Sequence, residues 1–321
     1  MQATREVGTK TTRAITLESF DGGPTLREIP TPQADPGEVL VRVRASSVNP
    51  VDNVIISGML RDMVAHEFPI LLGRDFSGIV ERAGGAVSGI SEGDEVFGFI
   101  PGISPKVHDG TWAELIAVPE SVAIRKPHGV DTTSAGAAPL AAITAMSALD
   151  ALGLSEGDTV LVVGANGGVG SFAVQMAADA GATVIAPALP EDEGYLRGLG
   201  VGEILPRDAD VAALVRERYP EGIEALLDLV SYAPEGFDTH AEVLHDGGRG
   251  ASPLSAAGEG SERHNVMAMP TREHLRRLAR QLEEGTLRVP IQQTYELDQA
   301  SEALRALATE HTQGKRAIRV A

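Results

Sequence analysis

Between residues 160 and 180 an apolar run meets a cluster of glycines and then turns helical, a succession that few folds accept. Val160-Leu161-Val162-Val163 is short, β-branched and apolar, as expected of a strand buried on both faces of a parallel sheet. Gly164-Ala165-Asn166-Gly167-Gly168-Val169-Gly170 follows, and beyond it Phe172, Val174, Met176 and Ala177 continue in a pattern suited to a helix. The glycines therefore sit on a strand-to-helix turn. Gly167 lets backbone come close to a phosphate, Gly170 lets the helix pack tightly on the strand, and Ala165 stands where the first fingerprint glycine usually is. A pyrophosphate on this turn would meet free N–H groups and the positive end of the helix. That attraction is worth about 0.3–1 kcal/mol per exposed charge and up to about 2 kcal/mol when partly buried. Ala178-Asp179-Ala180-Gly181-Ala182 ends the helix and Thr183-Val184-Ile185-Ala186 reads as the next strand. A complete βαβ unit separates a dinucleotide site from an ordinary tight turn.

A chain of 321 residues exceeds what one hydrophobic core usually serves, so two domains are expected. No segment is long and apolar enough to span a membrane. Met1 to Thr12 is polar, lacks the apolar centre of a signal peptide, and reads as a disordered extension. With no cysteine there is no disulfide framework, thiolate metal ligand or cysteine nucleophile, and a cytoplasmic location is expected. A net charge of −18 opposes binding to nucleic acid or anionic membranes.

The chain divides by rhythm. From Ala14 to about Pro127 short β runs are broken by turns, as in the alternating Glu38-Val39-Leu40-Val41-Arg42-Val43-Arg44. Ala135 to Leu152 is an alanine-rich helical stretch, and strands then alternate with helices through Ile204-Leu205, Ala225 to Val230 and Gly248 to Ser252. That alternation predicts a doubly wound parallel sheet. An amphipathic helix from Thr271 to Glu284, a second from Asp298 to Leu307 and a last strand at Ala317 to Val320 complete the chain.

This order of parts resembles the medium-chain dehydrogenase/reductase superfamily, specifically its zinc-free quinone oxidoreductase branch. The resemblance rests on Ser47-Val48-Asn49-Pro50-Val51-Asp52, Leu72 to Val80, Glu92 to Gly98, Gly110-Thr111-Trp112-Ala113-Glu114, the glycine turn, and Gly314 to Val320. It implies an α/β protein: an N-terminal GroES-like β domain, residues 13–130 and 271–321, plus a Rossmann domain with a doubly wound parallel sheet, residues 131–270. Where zinc-dependent relatives carry ligands, this chain has Asn49 and Arg74, whose amide and guanidinium are poor zinc ligands. No catalytic metal is predicted. His66-Glu67 is set aside, since adjacent residues seldom face one ion.

Without zinc, such an enzyme can reduce an acceptor that already stabilises incoming electrons, a quinone or a double bond conjugated to a carbonyl. Catalysis then rests on orientation and exclusion of water. The resemblance puts Asn49 and Asp52 on the loop that lines the cleft near the nicotinamide, as candidate catalytic residues. Asn49 is the one expected to hydrogen-bond there. Arg74 and Asp75 read equally as an internal ion pair, and Trp112 as core packing. Where many relatives carry a tyrosine or lysine that can reach substrate, this chain has Val54 and Leu60, so that loop offers no obvious acid.

Gly164, Ala165, Asn166, Gly167, Gly168, Val169 and Gly170 are the candidate cofactor-binding residues, with Tyr195 and Arg197 as possible contacts to a 2′-phosphate. The strand after the glycine helix ends Ala186-Pro187-Ala188-Leu189 with no acid to hold a ribose diol, which disfavours NADH. Glu191-Asp192-Glu193 would in turn repel a phosphate. NADPH is the expected cofactor by resemblance, with NADH not excluded. Two other readings stand beside the quinone or enone reductase: a biosynthetic enoyl reductase with one dedicated substrate, and a non-catalytic nucleotide-binding protein of the same fold. A homodimer is implied by the family, joined near Gly248 to Ser252.

Overall fold

The computed structural model describes residues 10–101 and 108–320. The first part contains β1 (Thr11–Leu17), β2 (Thr25–Pro30), β3 (Glu38–Val48), α1 (Pro50–Ile56), β4 (Ile70–Leu71), β5 (Asp75–Ala83), β6 (Glu95–Phe99), β7 (Leu115–Pro119), β8 (Ala123–Arg125) and α2 (Thr132–Ala137). The nucleotide-type part follows with α3 (Pro139–Leu152), β9 (Thr159–Val163), α4 (Gly168–Asp179), β10 (Thr183–Ala188), α5 (Glu193–Leu199), β11 (Glu203–Pro206), α6 (Val211–Arg218), β12 (Ile223–Asp228), α7 (Pro234–Ala241), β13 (Leu244–Ser252), β14 (Arg263–Asn265) and α8 (Arg272–Glu284). Then β15 (Ile291–Glu296), α9 (Ala300–Thr309) and β16 (Lys315–Arg319) return to the first domain.

The second domain is a six-stranded parallel sheet in the order β11-β10-β9-β12-β13-β14. Every residue of β9 is buried, because helices cover both faces of the sheet. Val160 and Val162 enter one apolar core with Phe172 and Val174, while Leu161 and Val163 enter another with Phe237 and Val215. The strand order turns at β9, flanked by β10 and β12, and such a switch point opens a crevice beyond the strand ends. The expected dimer edge at Gly248 to Ser252 is not an edge. β13 pairs with β12 on one side and with β14 on the other, so Arg263–Asn265 is the outer strand. That strand has only three residues and little periodicity to betray it.

In the first domain β3 is the axis of a seven-stranded sheet, pairing antiparallel with β5, β7 and β16. Trp112 is wholly buried in this core, its indole N–H donating to the Ser47 carbonyl at 3.2 Å. A Cβ on Gly73, whose φ is +84°, would run into that indole. Residues 1–9 of the expected disordered extension lie outside the described residues, but its last two, Thr11 and Thr12, already belong to β1.

Two further departures concern the seam between the domains. The alanine-rich stretch is two helices, because Pro139 starts α3 afresh after Ala137. The helix α8, assigned above to the first domain, places Leu275, Leu278 and Leu282 in the core formed by α3 and α4. Phe97, Phe99 and Ile124 of the first domain reach the same core. The seam is therefore packed apolar surface, and the two domains present a cleft at one end of it.

Candidate functional site

The cleft has a volume of about 620 Å³ and is lined by the glycine turn, the Val48-Asn49-Pro50 corner, the ends of β12 and β13, and the segment leading into β16. Its phosphate-type end is made of backbone. Gly167 is the residue before α4, extended at φ −75° and ψ −178°, and no side chain caps the helix. The first N–H groups of α4, at Gly168, Val169 and Gly170, therefore have no intrahelical acceptor, and these residues line the cleft. Gly164, at φ +88°, makes the reversal, and a Cβ on Gly170 would run into the Gly164 carbonyl. Gly164 thus does what was expected at Ala165, which is buried in the core and does not line the cleft. Asn166 ties the turn to the first domain, its amide donating to the Thr312 carbonyl at 2.9 Å and its carbonyl accepting from Gly314 N at 2.8 Å.

The floor opposite is made of side chains. Lys315 Nζ donates to Asn49 Oδ1 at 2.6 Å and to the Val48 carbonyl at 3.3 Å. Asn49 Nδ2 donates to Asp75 Oδ2 at 2.8 Å, and Ser47 Oγ donates to the same oxygen at 2.5 Å. Asp75 Oδ1 accepts from Leu140 N at 2.6 Å, at the start of α3. Burial raises the Asp75 carboxyl above its ordinary range, with Lys315 and these hydrogen bonds pulling the other way. Burial lowers the Lys315 ammonium, opposed by Asp75 and Asp52. Asn49 thus lines the cleft, but both ends of its amide are already engaged.

Asp52 sits beneath this floor, wholly buried, and is not part of the cleft lining. Its carboxylate accepts from Asn49 N at 2.8 Å and Gly73 N at 3.2 Å, and burial pushes its pKa up to about 6 against the pull of Arg74. It fixes the start of α1 and the turn at Gly73. The expected Arg74–Asp75 pair does not form. The Arg74 guanidinium faces Asp52 and donates to the Leu71 carbonyl at 3.2 Å, because neighbours in an extended chain point to opposite faces.

At the far end, neither Tyr195 nor Arg197 lines the cleft. Tyr195 packs against the second-domain core, and burial pushes its phenol up to about 12. Arg197 pairs with Glu193 at 3.4 Å and donates to the Gly202 carbonyl at 2.9 Å. At this end the cation that lines the cleft is Arg207, which sequence reasoning missed. Its backbone N–H donates to the Ala188 carbonyl at 3.0 Å, so it stands directly beside the end of β10. Its side chain has no partner among the described residues. Asp192, expected to repel a phosphate, is turned inward and accepts from His311 Nε2 at 2.7 Å and Gln313 Nε2 at 2.8 Å.

An open helix N-terminus at the switch point of a parallel sheet, facing a β domain across a cleft, is the arrangement of a two-domain dinucleotide-binding fold. Residues 35–128 match the alcohol dehydrogenase GroES-like domain family and residues 199–318 the zinc-binding dehydrogenase family. A chloroplast envelope quinone oxidoreductase homolog of Arabidopsis thaliana is 30% identical over 234 residues, 70% of each chain. An NAD(P)H oxidoreductase of Mus musculus mitochondria, RTN4IP1, is 36% identical over 53% of this chain, a match that spans 46% of the mouse protein. The solved quinone oxidoreductase of Coxiella burnetii superposes with a TM-score of 0.86 at 28% identity, covering 97% of this chain and all of that one. The chain belongs to the medium-chain dehydrogenase/reductase superfamily, in its quinone oxidoreductase-like branch.

The name of the second matched family raises the question of zinc, and the donor set here does not suit that ion. Asn49 offers an amide and Arg74 a guanidinium, both poor ligands for zinc. Among the described residues no three of His, Asp and Glu converge on one point. His66 bonds the Val64 carbonyl at 2.7 Å and packs edge-on against Phe20.

Proposed function

We propose that this protein is an NADPH-dependent oxidoreductase that passes a hydride to a quinone or an α,β-unsaturated carbonyl compound without a metal. The observation that carries this reading is the uncapped start of α4 opening into the same cleft as the Asn49–Lys315 floor. The bound nicotinamide would supply the hydride. Gly168, Val169 and Gly170 offer N–H groups to a pyrophosphate, and Arg207 offers an unpaired cation where a 2′-phosphate would lie. The absence of an acid at the end of β10 and the inward turn of Asp192 support the same cofactor. The floor, held by its own hydrogen bonds, would orient what lies on it.

The mouth supports an apolar acceptor. A groove of about 500 Å³ shares Pro50, Tyr232, Leu307 and Ala308 with the cleft and continues past Val54 and Met59. Met59 and Tyr232 are 68% and 74% exposed at its rim. In the oligomer we propose, a homodimer, pairing through the second-domain sheet would begin at β14.

The test is a titration of the protein with NADPH and NADH, followed by nicotinamide fluorescence, with turnover on menadione and methyl vinyl ketone. NADPH should bind more tightly than NADH. Arg207→Ala should weaken NADPH by about 10- to 100-fold, the worth of a charge-assisted hydrogen bond, and leave NADH unchanged. Arg197→Ala should leave both within about twofold, as an exposed pair contributes little. Equal affinities would overturn the cofactor assignment, and no NADPH consumption with either acceptor would overturn the reductase.

A further inference from the structure

We propose that Lys315 is the proton donor of this cleft, delivering from Nζ the proton that completes reduction of the acceptor. The inference rests on the reductase reading above. Reduction by hydride leaves negative charge on the acceptor oxygen, and the segment after Asn49 offers no acid there: it carries Val54, on α1, and Leu60, and neither lines the cleft. The structure supplies a donor from elsewhere in the chain. Antiparallel pairing of β16 with β3, Arg316 opposite Val48, sets Lys315 beside the Asn49 corner. Its side chain runs past Gly168, at the start of α4, and ends on Asn49.

Nζ has three N–H bonds. Two go to Asn49 Oδ1 and the Val48 carbonyl, while the nearest carboxylate, Asp75, is 3.9 Å away and beyond hydrogen-bond reach. Asp75 has its own partners in Ser47, Asn49 and Leu140 N, so it does not need the Lys315 proton. One N–H therefore remains for a ligand. The charged groups that face Lys315 are Asp75 from β5 and Asp52 from α1, both wholly buried. Around the cleft, His311 is held on Asp192 and Arg316 on Glu310, which leaves Tyr232 at the exposed mouth as the rival donor.

For an enone the step balances as follows. The C–H bond of the dihydronicotinamide breaks and a C–H bond forms at the β-carbon, the π electrons moving to the carbonyl oxygen. The Nζ–H bond breaks and an O–H bond forms, giving the enol. The cofactor is oxidised by two electrons, the acceptor reduced by two, and the neutral amine recovers its proton from water. A buried ammonium gives up its proton more readily than an exposed one, which suits it to this task.

The experiment compares wild type, Lys315→Met, Lys315→Arg and Tyr232→Phe by NADPH titration, thermal melting and kcat with methyl vinyl ketone from pH 6 to 10. In the wild type kcat should fall as pH rises through the ammonium pKa, below the ordinary lysine range. Lys315→Met should still bind NADPH, lose about 100-fold or more in kcat, and lose that basic limb. Lys315→Arg keeps the charge but cannot yield a proton, so it should not restore kcat. Tyr232→Phe should keep the limb. A wild-type profile flat to pH 10, full rescue by arginine, loss of NADPH binding in Lys315→Met, or loss of the limb in Tyr232→Phe would each overturn the proposal. Because the wild-type profile needs no variant, a misfolded substitution does not protect it. A wild type that consumes no NADPH at all fails the reductase reading instead.

Discussion

At one end of the cleft the contacts are backbone N–H groups from three consecutive residues; at the other they are side chains drawn from β3, β5, the corner at Asn49 and β16. The Lys315 to Asn49 hydrogen bond joins residues 266 positions apart, whereas the glycine turn is complete within seven. A backbone site depends on conformation alone and tolerates few side chains. A side-chain floor depends on the whole fold being in place, and each member is buried at a cost that its partners offset. The two ends should therefore fail in different ways.

The sharpest break is at the turn. Gly170→Val would drive a branched side chain into the Gly164 carbonyl and the Ala165 backbone, so the second domain should lose more than about 3 kcal/mol or fail to fold. Thermal melting and solubility would show it. At the floor, Asp75→Asn keeps the shape but removes the carboxylate near Lys315 and an acceptor for its neighbours. It should cost about 2–4 kcal/mol in chemical denaturation. A turn variant that stays folded, or a floor variant that costs nothing, would erase the contrast.

The smallest effect concerns pH. The Asp52 carboxyl is held at about 6 when folded against 3.8 as its ordinary value, mainly by burial. A raised carboxyl binds its proton more tightly in the folded state. Its contribution is therefore greatest below about pH 4 and is lost as pH rises through 6. Asp52→Asn should flatten that part of the dependence of Tm on pH, at a constant cost of about 1–3 kcal/mol for a backbone N–H left without its acceptor. An unchanged slope would mean that Asp52 does not titrate in this window.

The same contrast decides what could be read from the residues in order. The glycine turn and the alternating second domain were legible because their signals are local: one apolar run, one glycine cluster, one helix. Arg207 was not legible because it follows the end of β11, a strand that stands beside β10 only through the sheet. Lys315 was visible inside Gly314 to Val320, but nothing local says that β16 inserts beside β3. Tyr195 and Arg197 were chosen for their nearness in sequence to the end of β10. Helical rotation carries one into the core and the other onto Glu193. Asp52 had the right loop and the wrong side of it, since a residue three after the helix cap serves the cap.

The place of β16 between β3 and β15 has a further consequence, in how the molecule is made. The edge of β3 from Ala45 to Val48 has its partner only when Lys315 to Arg319 has been synthesised. At about 5–20 residues per second, the intervening stretch takes roughly 13–55 s to emerge. Through that interval the second domain, contiguous along the chain, can close while the first still carries an open strand. Completion of β16 closes that edge and sets Lys315 in the cleft in one event, so the floor of the cleft is assembled only after the whole second domain has emerged.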